Sequence, residues 1–424
     1  MLWCSLSPRN PVWHWDIIEV VTALIFLFGE VFALGASELK SRVINEIENH
    51  RDELKDLSLR IHGSPELAFQ EEKAVSWLTD YLQGKGFSIE KGICGLATAF
   101  RATYGKGKPS IAFLAEYDAL PKLGHACGHN IIATSAVGAG IAAKLAVDEL
   151  GGTVQVMGTP GEELYGGKVY MVRKGAFKSV DAAMMIHPAG LNTAITKFLA
   201  CHTLEVEFFG KPAHAAARPE AGINALEAML MSYAAINSLR QHIRDSARIH
   251  GIITDGGEAA NIVPAHTAGH FIVRAEEDSY LDELKERVIN CFVGAATATG
   301  AKLKYRWGDT RYAPLRNNFT LARMFRGNLQ SLGRRVHLVD PRIGIGSSDI
   351  GNVSRVVPSI HPLIAIASAR VITHSPQFAA TAASEAGTRG LIDAAKALAM
   401  TAVDLMADSA MLGKVKAEFE QDTD

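Results

Sequence analysis

The chain has 424 residues, more than one hydrophobic core usually serves, so two domains are the expectation. Hydrophobic residues make up 48% and charged residues 21%, a soluble globular composition. The net charge of -2 and the absence of a long basic run exclude nucleic acid and anionic membranes as natural partners.

Five cysteines (Cys4, Cys94, Cys127, Cys201, Cys291) are odd in number and lack any C-x-x-C spacing. They point away from a disulfide framework and toward a reducing compartment, so the expected location is cytoplasmic. Residues 1–36 form an apolar extension, strongest over Val20 to Ala36. Asp16, Glu19 and Glu30 suit neither a secretory signal nor a spanning helix. We expect an upstream segment that is poorly structured or absent from the native product, with export or anchoring as the alternative.

From Ser37 the apolar residues Leu39, Val43, Ile47, Leu54, Leu57 and Ile61 recur at helical spacing up to the Gly63-Ser64-Pro65 turn. A second helix is predicted over Glu71 to Gln83 and strands over Ala97 to Thr103 and Ser110 to Glu116. A small-residue helix follows from Asn130 to Glu149, then strands from Thr153 to Gly158 and Asp181 to His187. Strands alternating with helices imply an α/β fold with a mainly parallel sheet. Between Cys201 and Trp307 the rhythm becomes strand, helix, strand, strand, helix, strand, a ferredoxin-like βαββαβ unit. The predicted domains are therefore 37–200 with 309–424, interrupted by 201–308. A last helix is predicted from Ser384 to Ala407.

Metal-competent side chains sit where apolar runs stop. They are Cys127 and His129 of GHACGHN, the acids Glu162 and Glu163 of GTPGEE, His187 of MMIHP and His374 of VITHSP. Thiolate, imidazole and carboxylate suit zinc and similar divalent ions. Alone, each is more often structural; four strand-end positions with such groups are an improbable accident of packing. Gly128 lets residues 127 and 129 face one centre. Of two adjacent glutamates at a strand mouth, one would ligate the metal and the other polarise water. Asp118 would either hold the second nitrogen of His129 or cap its own turn. His214 of GKPAHAA is a candidate oxyanion donor. Asn261 and Arg274 are candidates for a substrate carboxylate, and Ser347 and Ser348 of GIGSSDIGNVS (Gly344 to Ser354) for anions or carbonyls.

The set AEYDALP, GHACGHN, GTPGEE with GGK, IHP, GKPAHAA, GSSDIGNVS and THSPQF resembles the M20 metallopeptidases. It is most similar to their amidohydrolase branch, and within it to the β-alanyl-lysine (Xaa-Arg) dipeptidase group. The resemblance covers about Glu38 to Ala407. It implies Cys127, His129, Glu163, His187 and His374 as ligands of two divalent ions per subunit (zinc, manganese or cobalt), with Glu162 as general acid and base. It also implies that the inserted unit is a lid and dimerisation domain, and that His214 reaches an active site, in many relatives that of the partner subunit. A homodimer or higher homo-oligomer is then expected. Many M20 relatives carry a ligand histidine where this chain has Glu116, and an aspartate where it has Cys127.

The reaction expected is hydrolysis of the amide in an N-acyl amino acid, a dipeptide or an aryl-amide conjugate. Hydrolytic deamination of an aryl amine is the alternative. A catalytically silent binding module is a further rival, disfavoured by the intact Glu162 and five ligands.

Overall fold

The computed structural model describes residues 35–339 and 346–421. The expectations for the extension before residue 35, and for Gly344 and Ile345, lie outside the described residues.

The first predicted helix is two. One covers residues 35–49, and after a turn at His50 the next runs Arg51–His62. Leu39, Val43, Ile47, Leu54, Leu57 and Ile61 all face inward and are at most 4% exposed. The helix Glu72–Gly84 follows.

The main sheet has six strands: β1 (Ser88–Lys91), β2 (Phe100–Lys106), β3 (Ser110–Ala115), β4 (Gly152–Gly158), β5 (Ala182–Met184) and β13 (Ser359–Ile360). Their order is β1-β2-β4-β3-β5-β13. Strands β4, β3, β5 and β13 run parallel, while β2 and β1 form an antiparallel margin. Every residue of β3 and β4 is buried, the continuous apolar pattern of strands covered on both faces. The covers include helices His129–Leu150 and Glu385–Ala407, which pack on one another. The first is long and apolar enough to cross a membrane, but its sides are buried in this core.

The predicted strand Asp181 to His187 divides after Met184. The chain leaves the main sheet and starts β6 (His187–Ala189), which joins β7 (Thr193–Ile195), β12 (His337–Val339) and β14 (Leu363–Ala365) in a small second sheet. His187 stands at that crossing. Helices Phe319–Ser331, Ile350–Val353, Pro376–Ala382 and Ser409–Gln421 complete this part.

The third sheet contains β8 (Ala200–Phe209), β9 (Arg248–Asp255), β10 (His266–Ala275) and β11 (Lys302–Tyr312), ordered β11-β8-β10-β9 and antiparallel throughout. Helices Ala225–Arg240 and Asp278–Thr299 pack on one face through a separate apolar cluster that includes Phe208, Phe271 and Phe292. Because the strands alternate buried and open residues, the other face stays accessible. Arg274 and Tyr312, at the ends of β10 and β11, adjoin the catalytic half through Ser347 and Glu162.

Candidate metal centre

Strands β3, β4 and β5 are parallel, so the loops at their carboxyl ends open on the same side, where ligands gather in open α/β sheets. Glu116 and Asp118 follow β3, Glu162 and Glu163 follow β4, and His187 follows β5. Cys127 and His129 arrive from the start of the helix His129–Leu150. Gly128 between them has φ 81, and a Cβ there would lie 2.9 Å from the Pro188 side chain. A positive φ and that close approach together demand glycine. His374 also sits at positive φ, 63, unusual for a non-glycine residue; its N–H donates to the Ala126 carbonyl at 2.9 Å.

Two sets of donor atoms, each within 4.8 Å of one another, share Cys127: Cys127 with His129 and His187, and Cys127 with Glu163 and His374. The Cys127 sulfur is 3.3 Å from His187 Nε2. His374 Nε2 and His129 Nε2 lie 3.5 and 3.7 Å from Glu163 Oε1. Both His129 Nε2 and Glu163 Oε1 are buried without a hydrogen-bond partner.

Ring orientation is set from behind. His129 Nδ1 donates to the Asp118 carbonyl at 2.8 Å and lies 3.1 Å from its Oδ1. Asp118 Oδ2 accepts the Glu163 N–H at 2.9 Å, so one carboxylate ties two donor residues together. His187 Nδ1 donates to the Pro188 carbonyl at 2.7 Å. Both imidazoles thus present Nε2 lone pairs inward.

The electrostatics favour a cation. Burial raises the Glu163 carboxyl to about 7, with Asp118 and Glu116 adding to the rise against His129. Burial, then Glu116 and Glu163, push Glu162 well above the ordinary carboxylate range. Burial opposes a charge on His129, but Glu116, Cys127 and Asp118 outweigh it and hold its pKa high. Burial and then His129 lower His187 to about 4. Carboxylates that resist ionisation around orphaned lone pairs are what an anionic site looks like before a divalent ion neutralises it. The donor set fits two such ions.

Three residues of the site, Lys168, Asp349 and Tyr312, escaped the sequence reading, and Glu116 entered it only as a departure from the relatives' ligand histidine. Glu116 Oε1 lies 3.2 Å from His129 Nε2. Lys168 bonds Glu116 and, at 2.8 Å, Asp349. Tyr312 donates its hydroxyl to the Glu162 carbonyl at 2.5 Å, anchoring the acid pair from the last strand of the inserted unit. A lysine after two glycines reads as solvated, and only the folded path shows otherwise.

The candidates of the inserted unit do not all meet the centre. His214 is exposed; its Nδ1 accepts from Ala217 N–H at 3.1 Å, which leaves Nε2–H free to donate. Its neighbour Ala215 donates to the Asn261 carbonyl. Asn261 precedes β10, whereas Arg274 lies near its other end and donates to Ser347 Oγ at 2.8 Å. At roughly 3.4 Å per residue, these ends stand more than ~25 Å apart. Asn261 and Arg274 of one chain therefore do not clasp one small carboxylate together, because a strand separates them. Ser348 is buried and its carbonyl accepts from Gly351.

Residues 201–296 match the model of the peptidase dimerisation domain of the M20 family. The chain is 37% identical to the Xaa-Arg dipeptidase of Mus musculus, covering 90% of this chain and 92% of that protein. It is 30% identical to a p-aminobenzoyl-glutamate hydrolase polypeptide of Escherichia coli, covering 91% and 96%. Among solved structures, a dinuclear metal-binding M20 peptidase of Bacillus subtilis shares the fold at TM-score 0.65 and 20% identity, covering 85% of this chain and 99% of that one.

Proposed function

The chain belongs to the M20 family of metal-dependent peptidases and amidohydrolases, and from that premise we propose that it cleaves the amide of a dipeptide or another N-acyl amino acid. The observation that carries this reading is the pair of donor sets sharing Cys127, with Glu162 buried beside them. Two divalent ions bound there would supply Lewis acidity toward a carbonyl and acidify water. We assign them to zinc, manganese or cobalt: thiolate and imidazole favour zinc and cobalt over magnesium or calcium, and the carboxylates accommodate manganese.

In this reading Glu162 takes a proton from the attacking water and returns it to the leaving amine nitrogen. The Tyr312 hydroxyl fixes the backbone of the acid pair. His214 Nε2–H donates to the oxyanion once the inserted unit closes as a lid or reaches across from a partner. A homodimer through the inserted unit is supported by its match to a dimerisation domain. The substrate class is suggested by the relatives' names; a basic carboxyl-terminal residue is the first choice. Deamination of an aryl amine is not supported, because the curated relatives that span most of the chain are a dipeptidase and an amide hydrolase. A cytoplasmic location accords with the four free cysteines among the described residues.

The test is to strip the protein with a chelator, reload it with zinc, manganese or cobalt, and present dipeptides and N-acyl amino acids. Metal-dependent release of the amino acid is expected. Full turnover without metal, or ammonia released in place of an amino acid, would overturn the reading.

A further inference from the structure

Lys168 is fully buried beside the centre, yet the reaction described above leaves it without a task. Its path depends on Gly167, where a Cβ would lie 1.8 Å from the Pro160 carbonyl oxygen. Only glycine lets the segment after the acid pair fold back so closely. Lys168 Nζ then meets Glu116 Oε2 and, at 2.8 Å, Asp349 Oδ1, while its backbone N–H donates to Asp349 Oδ2 at 2.8 Å. All three residues are at most 1% exposed.

Glu116 belongs to a third set of converging donors: with His129 and Glu162 it offers three atoms within 4.8 Å, all from buried residues. That set competes with the other two. It would take His129 from the Cys127 centre and would bind Glu162 through the carboxylate that the proton transfer requires. Two carboxylates and an imidazole with an unsatisfied Nε2 are a competent divalent site. What distinguishes this set is the ammonium already on Glu116.

We propose that Lys168 is a positioning residue that excludes metal from the Glu116, His129 and Glu162 set, so that Glu162 stays free to accept a proton. A fixed cation on the far oxygen of Glu116 already neutralises the charge that would draw a misplaced ion to its near oxygen, 3.2 Å from His129 Nε2, and being covalently part of the chain it brings no open coordination position. Asp349 holds the ammonium in place. The inference rests on the proposed function in two respects: the Cys127 sets bind ions, and Glu162 accepts the proton.

The test counts metal by elemental analysis after dialysis against manganese or zinc, alongside competitive chelator titration and turnover. Glu116→Gln keeps Lys168 paired with Asp349 and should hold as many ions per chain as the unchanged protein, with the same affinity. Lys168→Met should gain an ion, or bind one at least about tenfold more tightly, while kcat falls about 10²-fold, the usual scale for losing acid–base assistance. Lys168→Met with Glu116→Gln should return the metal count to its starting value and recover most of kcat. A metal lost from Glu116→Gln would make Glu116 a ligand and overturn the proposal. So would a folded Lys168→Met with unaltered stoichiometry and affinity. If Lys168→Met does not fold, Lys168→Gln, which keeps a hydrogen bond to Asp349 without the charge, takes its place with the same expected gain of metal, and unaltered stoichiometry and affinity there overturn the proposal. An unchanged protein that binds no metal sinks the proposed function itself, a distinguishable outcome.

Discussion

His129 in the catalytic half and His266 in the inserted unit have the same kind of neighbours. Each ring nitrogen of each histidine faces a carboxylate. For His129 these are Asp118 at 3.1 Å and Glu116 at 3.2 Å; for His266 they are Asp255 at 2.6 Å and Glu207 at 3.2 Å. Their side chains are 1% and 38% exposed. Solvent screens the second cluster, and its members lie on the accessible face and edge of one sheet. Around the first, Cys127, Glu162, Glu163 and His187 converge from strand ends and a helix start, largely out of reach of solvent. A histidine between two acids is thus an ordinary surface feature until burial and convergence make its lone pair and its neighbours' charge available to a metal.

Removing one carboxylate in each region gives the sharpest contrast. Glu162→Gln should lower kcat by about 10²–10⁴-fold, the usual range for lost acid–base assistance, while the metal content stays constant. Glu207→Gln, the same edit on the exposed sheet, should leave kcat unchanged. Equal effects from the two would erase the distinction between the regions. Steady-state kinetics with metal analysis decides this.

The inserted unit is expected to contribute to catalysis at one point. His214→Ala should lower kcat by about 10²–10³-fold, with little change in KM, because an oxyanion donor acts mainly in the transition state. Mixing His214→Ala with Glu162→Gln protomers should regain activity if the donor comes from the partner, since each mixed dimer then has one site with both groups. No recovery after demonstrated exchange of protomers would assign His214 to its own chain's site or remove it from catalysis. Smaller again is the effect of orientation. Asp118→Asn should weaken metal binding by about 10–100-fold, as changes behind metal ligands commonly do. Its counterpart on the exposed cluster, Asp255→Asn, should not alter the metal titration.

The sequence disclosed these two regions unequally. The α/β class and the βαββαβ rhythm were legible because long apolar strands and helices have strong periods. Cys127, His129, Glu163, His187 and His374 were visible because each follows an apolar run in a distinctive loop. The small sheet was not: β6, β7, β12 and β14 have three residues each, too few for any period. Lys168 and Asp349 were missed for a different reason. Charged residues in glycine- and serine-rich loops are normally solvated, and their burial depends on contacts between segments up to 181 residues apart in pairs such as Lys168 and Asp349. Asn261 and Arg274 remain candidates for a substrate carboxylate, but the strand between them keeps the two apart within one chain.

The smallest expected effect belongs to the exposed histidine, and its pH dependence tests the role of solvent. The hydrogen bond to Asp255, and then Glu207, raise the His266 pKa above its ordinary 6.5. Folding therefore gains from protonated His266. That contribution is complete below 6.5, declines as pH rises through the elevated folded value, and is gone above it. Because the cluster is more than a third exposed, we discount it to no more than about 1 kcal/mol, the upper end for exposed ion pairs. His266→Asn should therefore lower the denaturant midpoint slightly at acidic pH and match the unchanged protein once the pH is above the raised folded value. The deficit should shrink in high salt, since water reaches all three side chains. A deficit that grew with pH, or that exceeded about 2 kcal/mol, would mean that this cluster is desolvated in solution, beyond what a screened pair can supply. Its difference from the buried arrangement around His129 would then lie in the missing convergent ligands alone.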